Sequence, residues 1–517
     1  MVGVAGAAQL ARGGERERRA HPPAFGAEPL LAQLDVLLGS GGDERIWPDP
    51  ATGRTRYGTA LAPQPQEIWL SSSTASTIGE RGYGAARRTL HALLDHGPKT
   101  RLQLQDWLCE VRGDLIACCG RGDSQAVLAA SGTDAELIAL AIVERLLARP
   151  VTNIVISPGE TGSGVMKAAG GLHFLSTSCL GGPVPVGARL DGWESADIEV
   201  RHVDIRTPKG DPRDPAAVDL DAADRAERAL ARGRGVLLHV LDTSKTGLSG
   251  PSRDAAARIV ALAPERVIVM VDACQLRCPA DRLRADLDRG FMVLVTGSKF
   301  MGGPPLSGAL LLPGALAARL GDAPPAPEGL ADYSACLDWP ASLQCTFARE
   351  LVTAANLGAG LRWTAAIEEM KDFAAVDEAI RTRFFSTFAK EAREGAAATP
   401  GVSLLPEVAH DHAADASIVP LVIGRLPGGW ASCAEAAKLQ VDLRRPLPGH
   451  ASVIHVGQPV GVGERTVLRV CASAPHVNTV AARMADGAGF EAAFAPVRRN
   501  LQALFAKMAH LIGGGEA

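Results

Sequence analysis

Short, mainly apolar runs recur through the middle of this chain, at 126–130, 153–157, 200–205, 236–241, 267–271 and 292–295. The stretches between them, such as 134–148 and 219–232, repeat apolar residues with the period of a helix. Strands apolar on both faces and separated by helices predict a mainly parallel sheet with helices on each side, the α/β class. Gly308–Leu312 follows the last run closely enough to be its antiparallel partner.

Around that block the pattern is less regular. A short helix is predicted over 29–38, then a polar, turn-rich stretch at 41–53 and a helical region at 85–112. The Pro-rich 323–329 marks a boundary or a surface loop. A long helical pattern at 353–388 leads into a smaller C-terminal α+β domain, with strands at 418–423 and 466–471 and a final helix at 490–512. The chain thus divides into a disordered tail (1–28), an extension packing on the small domain or on a partner (29–70), a large domain (71–345) and a small domain (346–517).

Composition narrows the function class. Over 517 residues, 47% are hydrophobic and 21% charged, as in a globular protein with a large core. The 53 basic and 57 acidic residues leave a net charge of −4, which argues against nucleic acid or an anionic membrane as the main partner. No apolar run is long enough for a membrane span. The ten Cys show no paired zinc-type spacing and read as reduced thiols of a cytoplasmic protein, so no metal is expected.

The candidate chemistry sits where the central strands end. Ser131, Gly132 and Thr133 follow one strand and open a helix, a turn suited either to an anion or to an ordinary N-cap. VIVMVDAC (267–274) ends on Asp272, a carboxylate that needs a partner or an open sheet edge, with Gln275 just beyond. VLVTGSKF (293–300) runs out onto Thr296, Ser298 and Lys299. A carboxylate at the end of one strand and a lysine at the end of the next suit a cofactor with a cationic ring and an aldehyde, which is pyridoxal phosphate.

With SGT (131–133), VDACQ (271–275), TGSK (296–299) and GGPP (302–305) in that order, the chain resembles a fold-type I pyridoxal-phosphate enzyme, more narrowly the class V aminotransferase and cysteine desulfurase group. The resemblance implies a large cofactor domain and a small C-terminal domain. It implies that Lys299 holds the aldehyde as a Schiff base, Asp272 the ring nitrogen and Gln275 the 3′-oxygen, and that Ser131, Gly132, Thr133, Thr296 and Ser298 surround the phosphate. It gives Arg469, in VLRVCAS (467–473), the substrate carboxylate, and it implies a homodimer.

Two departures stand out. Where the group carries Glu-His, this chain has Glu160 and Thr161, so Thr161 would occupy the place of the ring-stacking imidazole; His173 is a substitute. Where related enzymes tend to carry an Asn, LDTSKTGL (241–248) offers Asp242, Thr243 or Ser244, with Lys245 as a second possible active-site lysine. The hydroxyls of 71–76, Arg81 in RGYG (81–84) and HVGQP (455–459) are further candidates for substrate contact, although a solvated loop is the simpler expectation for 71–76. Aminotransfer is the expected reaction, since it asks only for Lys299 and an anchor such as Arg469. A lyase, a decarboxylase or a cysteine desulfurase is the alternative, Cys336 being the cysteine placed for the last. A non-catalytic sensor or scaffold is the alternative of another class.

Overall fold

A computed structural model describes residues 30–514 except 96–98, 407, 409–411 and 426–427; the tail expected at 1–28 lies outside the described residues. The strands, in chain order, are β1 (Ile68–Leu70), β2 (Gln125–Ala129), β3 (Val151–Ile156), β4 (Ile198–Val203), β5 (Gly235–Leu241), β6 (Val267–Ala273), β7 (Met292–Thr296), β8 (Gly308–Leu312), β9 (Val402–Leu404), β10 (Ile418–Ile423), β11 (Ile454–Val462) and β12 (Arg465–Cys471).

Seven strands form one sheet in the order β2-β8-β7-β6-β5-β3-β4. Its neighbours run parallel except where β8 meets β2 and β7. Alternate residues feed two separate cores. In β6, Val267, Val269, Val271 and Ala273 belong to one apolar cluster, and Ile268 and Met270 to the other. The helix Gly132–Leu147 fills the second cluster and is buried along nearly its whole length. Helices Pro215–Ala231, Arg253–Leu262 and Ala280–Asp288 contribute to the first. Burial on both faces is the physical reason these strands are Val-, Ile- and Leu-rich without alternation.

The second sheet has the order β1-β11-β12-β10-β9. Here the sequence pattern says less. β1 has three residues and pairs in parallel with β11, Ile68 opposite Ile454. β11 was not expected as a strand because Gly457 and Pro459 interrupt its alternation; the register shifts between Gly457 and Val460, as at a bulge. The helical region at 85–112 resolves into Glu80–Leu94 and Arg101–Cys119, the latter opened by a capping box between Thr100 and Gln103. The pattern at 353–388 also splits, into Leu357–Ala375 and Glu378–Ala397, because Asp377 accepts from the Ala379 N–H and starts a new helix. Pro-rich 323–329 is not simply a surface loop: the Ala326 N–H bonds the Phe347 carbonyl, and Ala326 and Leu330 are buried.

One loop and one arginine join the two sheets. The loop 71–76 is buried rather than solvated, and the Ser72 hydroxyl donates to the Ala472 carbonyl beyond β12. Arg277 donates to Ser72 Oγ at 2.8 Å and Ser417 Oγ at 2.6 Å, and its guanidinium lies 4.8 Å from the centre of the Phe300 ring. Replacing it (Arg277→Met) leaves two buried hydroxyls short of a donor, offset by the relief of a desolvated cation. The expected net loss is about 1–3 kcal/mol, read as a lower urea midpoint than wild type, with no loss of helix content by circular dichroism.

Candidate active site

Parallel strands place their carboxyl ends on one edge, so the residues following β5, β6 and β7 meet there. Leu241 pairs with Asp272, and Asp272 with Leu294, so Asp242–Lys245, Asp272–Gln275 and Thr296–Lys299 emerge side by side. The helix beginning at Gly132 points its N-terminus into the same place. A Cβ on Gly132 would stand 2.6 Å from Cys274 Sγ and 3.7 Å from Thr296 Cγ2, so only glycine lets the chain approach this closely. The loop after β3 closes over it, the Cβ position of Gly162 lying 3.2 Å from Thr133 Oγ1. Gly132 and Thr133 thus form a narrow cradle at the positive end of a helix, where an anion is favoured.

Ser131 is committed to the helix itself. Its hydroxyl oxygen accepts from the N–H groups of Thr133 (3.2 Å) and Asp134 (3.4 Å) and donates to the Asp134 carboxylate. Arg45, from the extension before β1, donates to Ser131 Oγ at 3.0 Å. Burial pushes the Asp134 carboxyl up, against the pull of Arg45.

Asp272 is half-buried and accepts from the Cys274 N–H at 3.0 Å; among the described residues it has no ion-pair partner. Below it in β5 sits buried His239, whose Nε2 is 3.3 Å from Glu136 Oε1, and Glu136 also accepts from Asn153 Nδ2 at 2.8 Å. Burial opposes protonation of His239, but Glu136 and Asp272 outweigh it and its pKa is raised. Gln275, 2% exposed, donates to the Ser73 carbonyl at 3.0 Å, while its buried Oε1 has no partner among the described residues. Thr296 donates to the Cys274 carbonyl at 2.7 Å. The backbone of Ser298 and Lys299 is pinned by Ser76, whose N–H reaches the Ser298 carbonyl (2.9 Å) and whose hydroxyl reaches the Lys299 carbonyl (2.7 Å). The Lys299 amine has no hydrogen-bond or ion-pair partner among the described residues.

Arg469, 0% exposed, enters from β12. It donates to Ser73 Oγ at 3.3 Å, to Thr74 Oγ1 at 2.9 Å and to the Gln458 carbonyl, all neutral, and desolvation pushes its pKa down to about 10. The buried loop 71–76 therefore touches Gln275, Lys299 and Arg469 at once. Beyond β5, the Lys245 N–H bonds the Glu160 carbonyl at 3.0 Å. Burial, then Arg469 and Lys299, push the Lys245 amine down to about 7.

Gly132, Thr133, Asp272, Gln275, Thr296, Ser298 and Lys299 gather at this edge, with Arg469 joined to them through 71–76. Thr161 is half-buried and its hydroxyl donates to the Pro158 carbonyl at 3.3 Å. The 3′-oxygen candidates of the β5 turn are all engaged: Asp242 with Arg253 (2.6 Å), Thr243 with Asp415 (2.9 Å) and Ser244 with Glu160 (2.8 Å). His173 is bound to the Tyr333 hydroxyl at 2.8 Å, and Arg81 is paired with Glu369 and with Asp372 at 3.2 Å. His455 is buried against Trp69 and bonded to Glu67.

Cys336 is a correction. It is 2% exposed in the core with Trp339, Leu343 and Phe347, and burial raises its thiol pKa, whereas a desulfurase thiol must be mobile and ionised. Arg45 and the His239–Glu136 pair were missed, although a His in an apolar strand and a Glu in an apolar helix were visible signals.

No family model and no curated protein matches the chain. Solved structures do. The chain is similar to the cysteine desulfurase CsdA of Escherichia coli, in an S-sulfonic acid form, at 13% identity and TM-score 0.51, covering 90% of this chain and 98% of that one. It is similar to a C-DES variant with glycine covalently linked to its PLP cofactor, at 14% identity and TM-score 0.52, over 86% and 97%. It is also similar to the cystine C–S lyase C-DES in complex with cysteine persulfide, at 16% identity and TM-score 0.50, over 82% and 98%. The fold is therefore the one these three structures share.

The Lys245 shift has a measurable sign. Its folded pKa of about 7 lies below the 10.5 of an ordinary lysine, so between these values the unfolded chain binds more protons and this group's contribution makes stability rise with pH. Lys299, Arg469 and Glu160 are the charged groups acting on it. Urea unfolding of wild type and Lys245→Met from pH 6 to pH 10 is expected to converge at the alkaline end, with the variant more stable at pH 7; equal differences at every pH would contradict the buried-amine assignment.

Proposed function

We propose that this chain is a pyridoxal-phosphate-dependent enzyme acting on an amino acid, from a fold it shares with enzymes of that kind. The observation that carries the reading is the meeting, at one sheet edge, of an unpartnered lysine, a carboxylate without a cation and a helix start that only glycine fits.

The residues suit the cofactor. Lys299 offers an amine to the aldehyde, and Asp272 a carboxylate to the ring nitrogen. Gln275 lies beside them: its amide N–H donates to the Ser73 carbonyl, and the NH2 group's second hydrogen is the donor it could turn to the 3′-oxygen. Gly132 and Thr133 offer the helix N-terminus to the phosphate. Ser298 is a better phosphate donor than Thr296, whose proton is committed to Cys274. When bound, pyridoxal phosphate supplies an electron-accepting ring that stabilises negative charge at the substrate Cα. Asp272 would keep the ring nitrogen protonated, and His239, whose pKa Glu136 and Asp272 raise, lies behind that carboxylate. Arg469 binds the substrate carboxylate in bidentate fashion. Lys299 takes and returns the proton at Cα. The buried 71–76 loop holds Lys299 and Arg469 in register and excludes water.

Among the reactions open to such a site, cleavage in the substrate side chain by a lyase is better supported, because the similar structures are named for C–S chemistry. Aminotransfer is the second reading, since it needs nothing beyond Lys299 and Arg469. Desulfuration through Cys336 loses its support with the burial of that thiol. A non-catalytic scaffold would have no need for an unpartnered Lys299 at the same sheet edge as Asp272. A homodimer completes the proposal.

Purified wild type is expected to show the visible absorbance of a lysine-held cofactor after addition of pyridoxal phosphate, and Lys299→Ala to lack it; no band in wild type would sink the reading. Asp272→Asn should keep the band and lose roughly 100-fold in turnover, by analogy with the removal of one preorganised electrostatic group. Ammonia with a 2-oxo acid as product supports the lyase, and amino transfer to an added 2-oxo acid supports the aminotransferase.

A further inference from the structure

Lys245 is the charged group at this edge that the pyridoxal-phosphate reading leaves without a task. It stands in the turn after β5, on the opposite side of Asp272 from the strand β7, which ends on Thr296 and leads to Ser298. Its backbone is fixed to Glu160, yet its amine has no hydrogen-bond or ion-pair partner among the described residues. Glu160 cannot serve as one in this arrangement: its Oε1 is held by Arg206, and its Oε2 by Ser244 and Thr246. The other charges acting on Lys245 are the cations Arg469 and Lys299.

Arg469 is in the same condition. It is wholly buried and bonded only to two hydroxyls and a carbonyl. Arg469 is wholly buried and Lys245 partly so, and among the described residues neither has a free carboxylate beside it, so charging both is costly unless an anion joins them. Once Arg469 takes the α-carboxylate of an amino acid, one cation remains unmatched beside the substrate.

We propose that Lys245 reads a second acidic group on the substrate, so that the site selects an amino acid whose side chain ends in an acid. The α-carboxylate goes to Arg469 and the distal acid to Lys245. This deepens the pyridoxal-phosphate reading and rests on it for the identity of the substrate as an amino acid; the pair of cations stands without it. Beside a neutral side chain the partly buried Lys245 amine must either stay charged without an anion or give up its proton, whereas an acid would hold it charged; that difference is the selective element.

The test is calorimetric titration of the full chain, with and without added pyridoxal phosphate, using succinate and glutarate against butyrate and valerate. Wild type is expected to bind the dicarboxylates roughly 10- to 100-fold more tightly, the range for one charge-assisted contact. Lys245→Met should abolish the preference, and Lys245→Arg, which retains the charge and guards against a folding defect in the first variant, should keep part of it. No preference in wild type, or a preference unchanged in Lys245→Met, overturns the proposal. So does a Lys245→Met protein that loses cofactor retention but keeps the preference, because the lysine would then belong to the phosphate. Absence of the visible band in wild type defeats the cofactor reading separately, and the acid preference is still measured on the unloaded chain.

Discussion

The constraint on which the rest of this structure depends is burial of the seven-stranded sheet on both faces. Between two apolar cores, few polar side chains can sit in a strand without a partner. Thr152, Asn153 and His239, buried within the sheet's strands, each have one: Thr152 accepts from Arg234, and Asn153 and His239 are tied to Glu136. Every other group that carries chemistry is pushed to the strand ends, and parallel strands put those ends on one edge. Asp272, Lys299 and Lys245 are neighbours for this reason, although 27 residues separate each from the next in sequence.

The second requirement is that the two sheets stay in register. The loop 71–76 meets it with hydroxyls and carbonyls rather than apolar packing. Ser72 and Arg277 tie the large domain to the segment after β12, Ser73 and Thr74 receive Arg469, and Ser76 holds the Lys299 backbone. Arg469 on one sheet and the backbone of Lys299 beside the other are thus positioned by the same six residues. Directional hydrogen bonds suit this role, because they fix separation and orientation where an apolar contact would allow sliding.

Charge at the site is asymmetric. Under the proposed function Asp272 would answer a ring cation and the helix N-terminus a phosphate, which leaves Arg469 and Lys245 over, with Glu160 already bonded to Arg206, Ser244 and Thr246. Such an imbalance, with Arg469 wholly buried, sets this edge apart more clearly than the Thr at position 161 does.

Much of this was legible in the chain. Long apolar runs fixed the α/β class because burial on two faces leaves no alternation to misread, and Asp272 and Lys299 stood out as polar residues closing such runs. β1 and β11 were not legible: three residues carry no period, and Gly457 and Pro459 break one. The burial of 71–76 was hidden because SSSTAS is the composition of a solvated loop, and nothing local tells a serine whether its partner is water or a carbonyl 400 residues away. Cys336 was misplaced for the converse reason, since a Pro-flanked polar stretch was folded back into the core. By itself, then, the sequence determined which groups must lie at strand ends, a matter of local hydrophobic pattern. Only the tertiary structure decided which of them share a site and which are already spent on partners, because hydrogen-bond and charge pairing are made between segments that the chain's own order does not bring together.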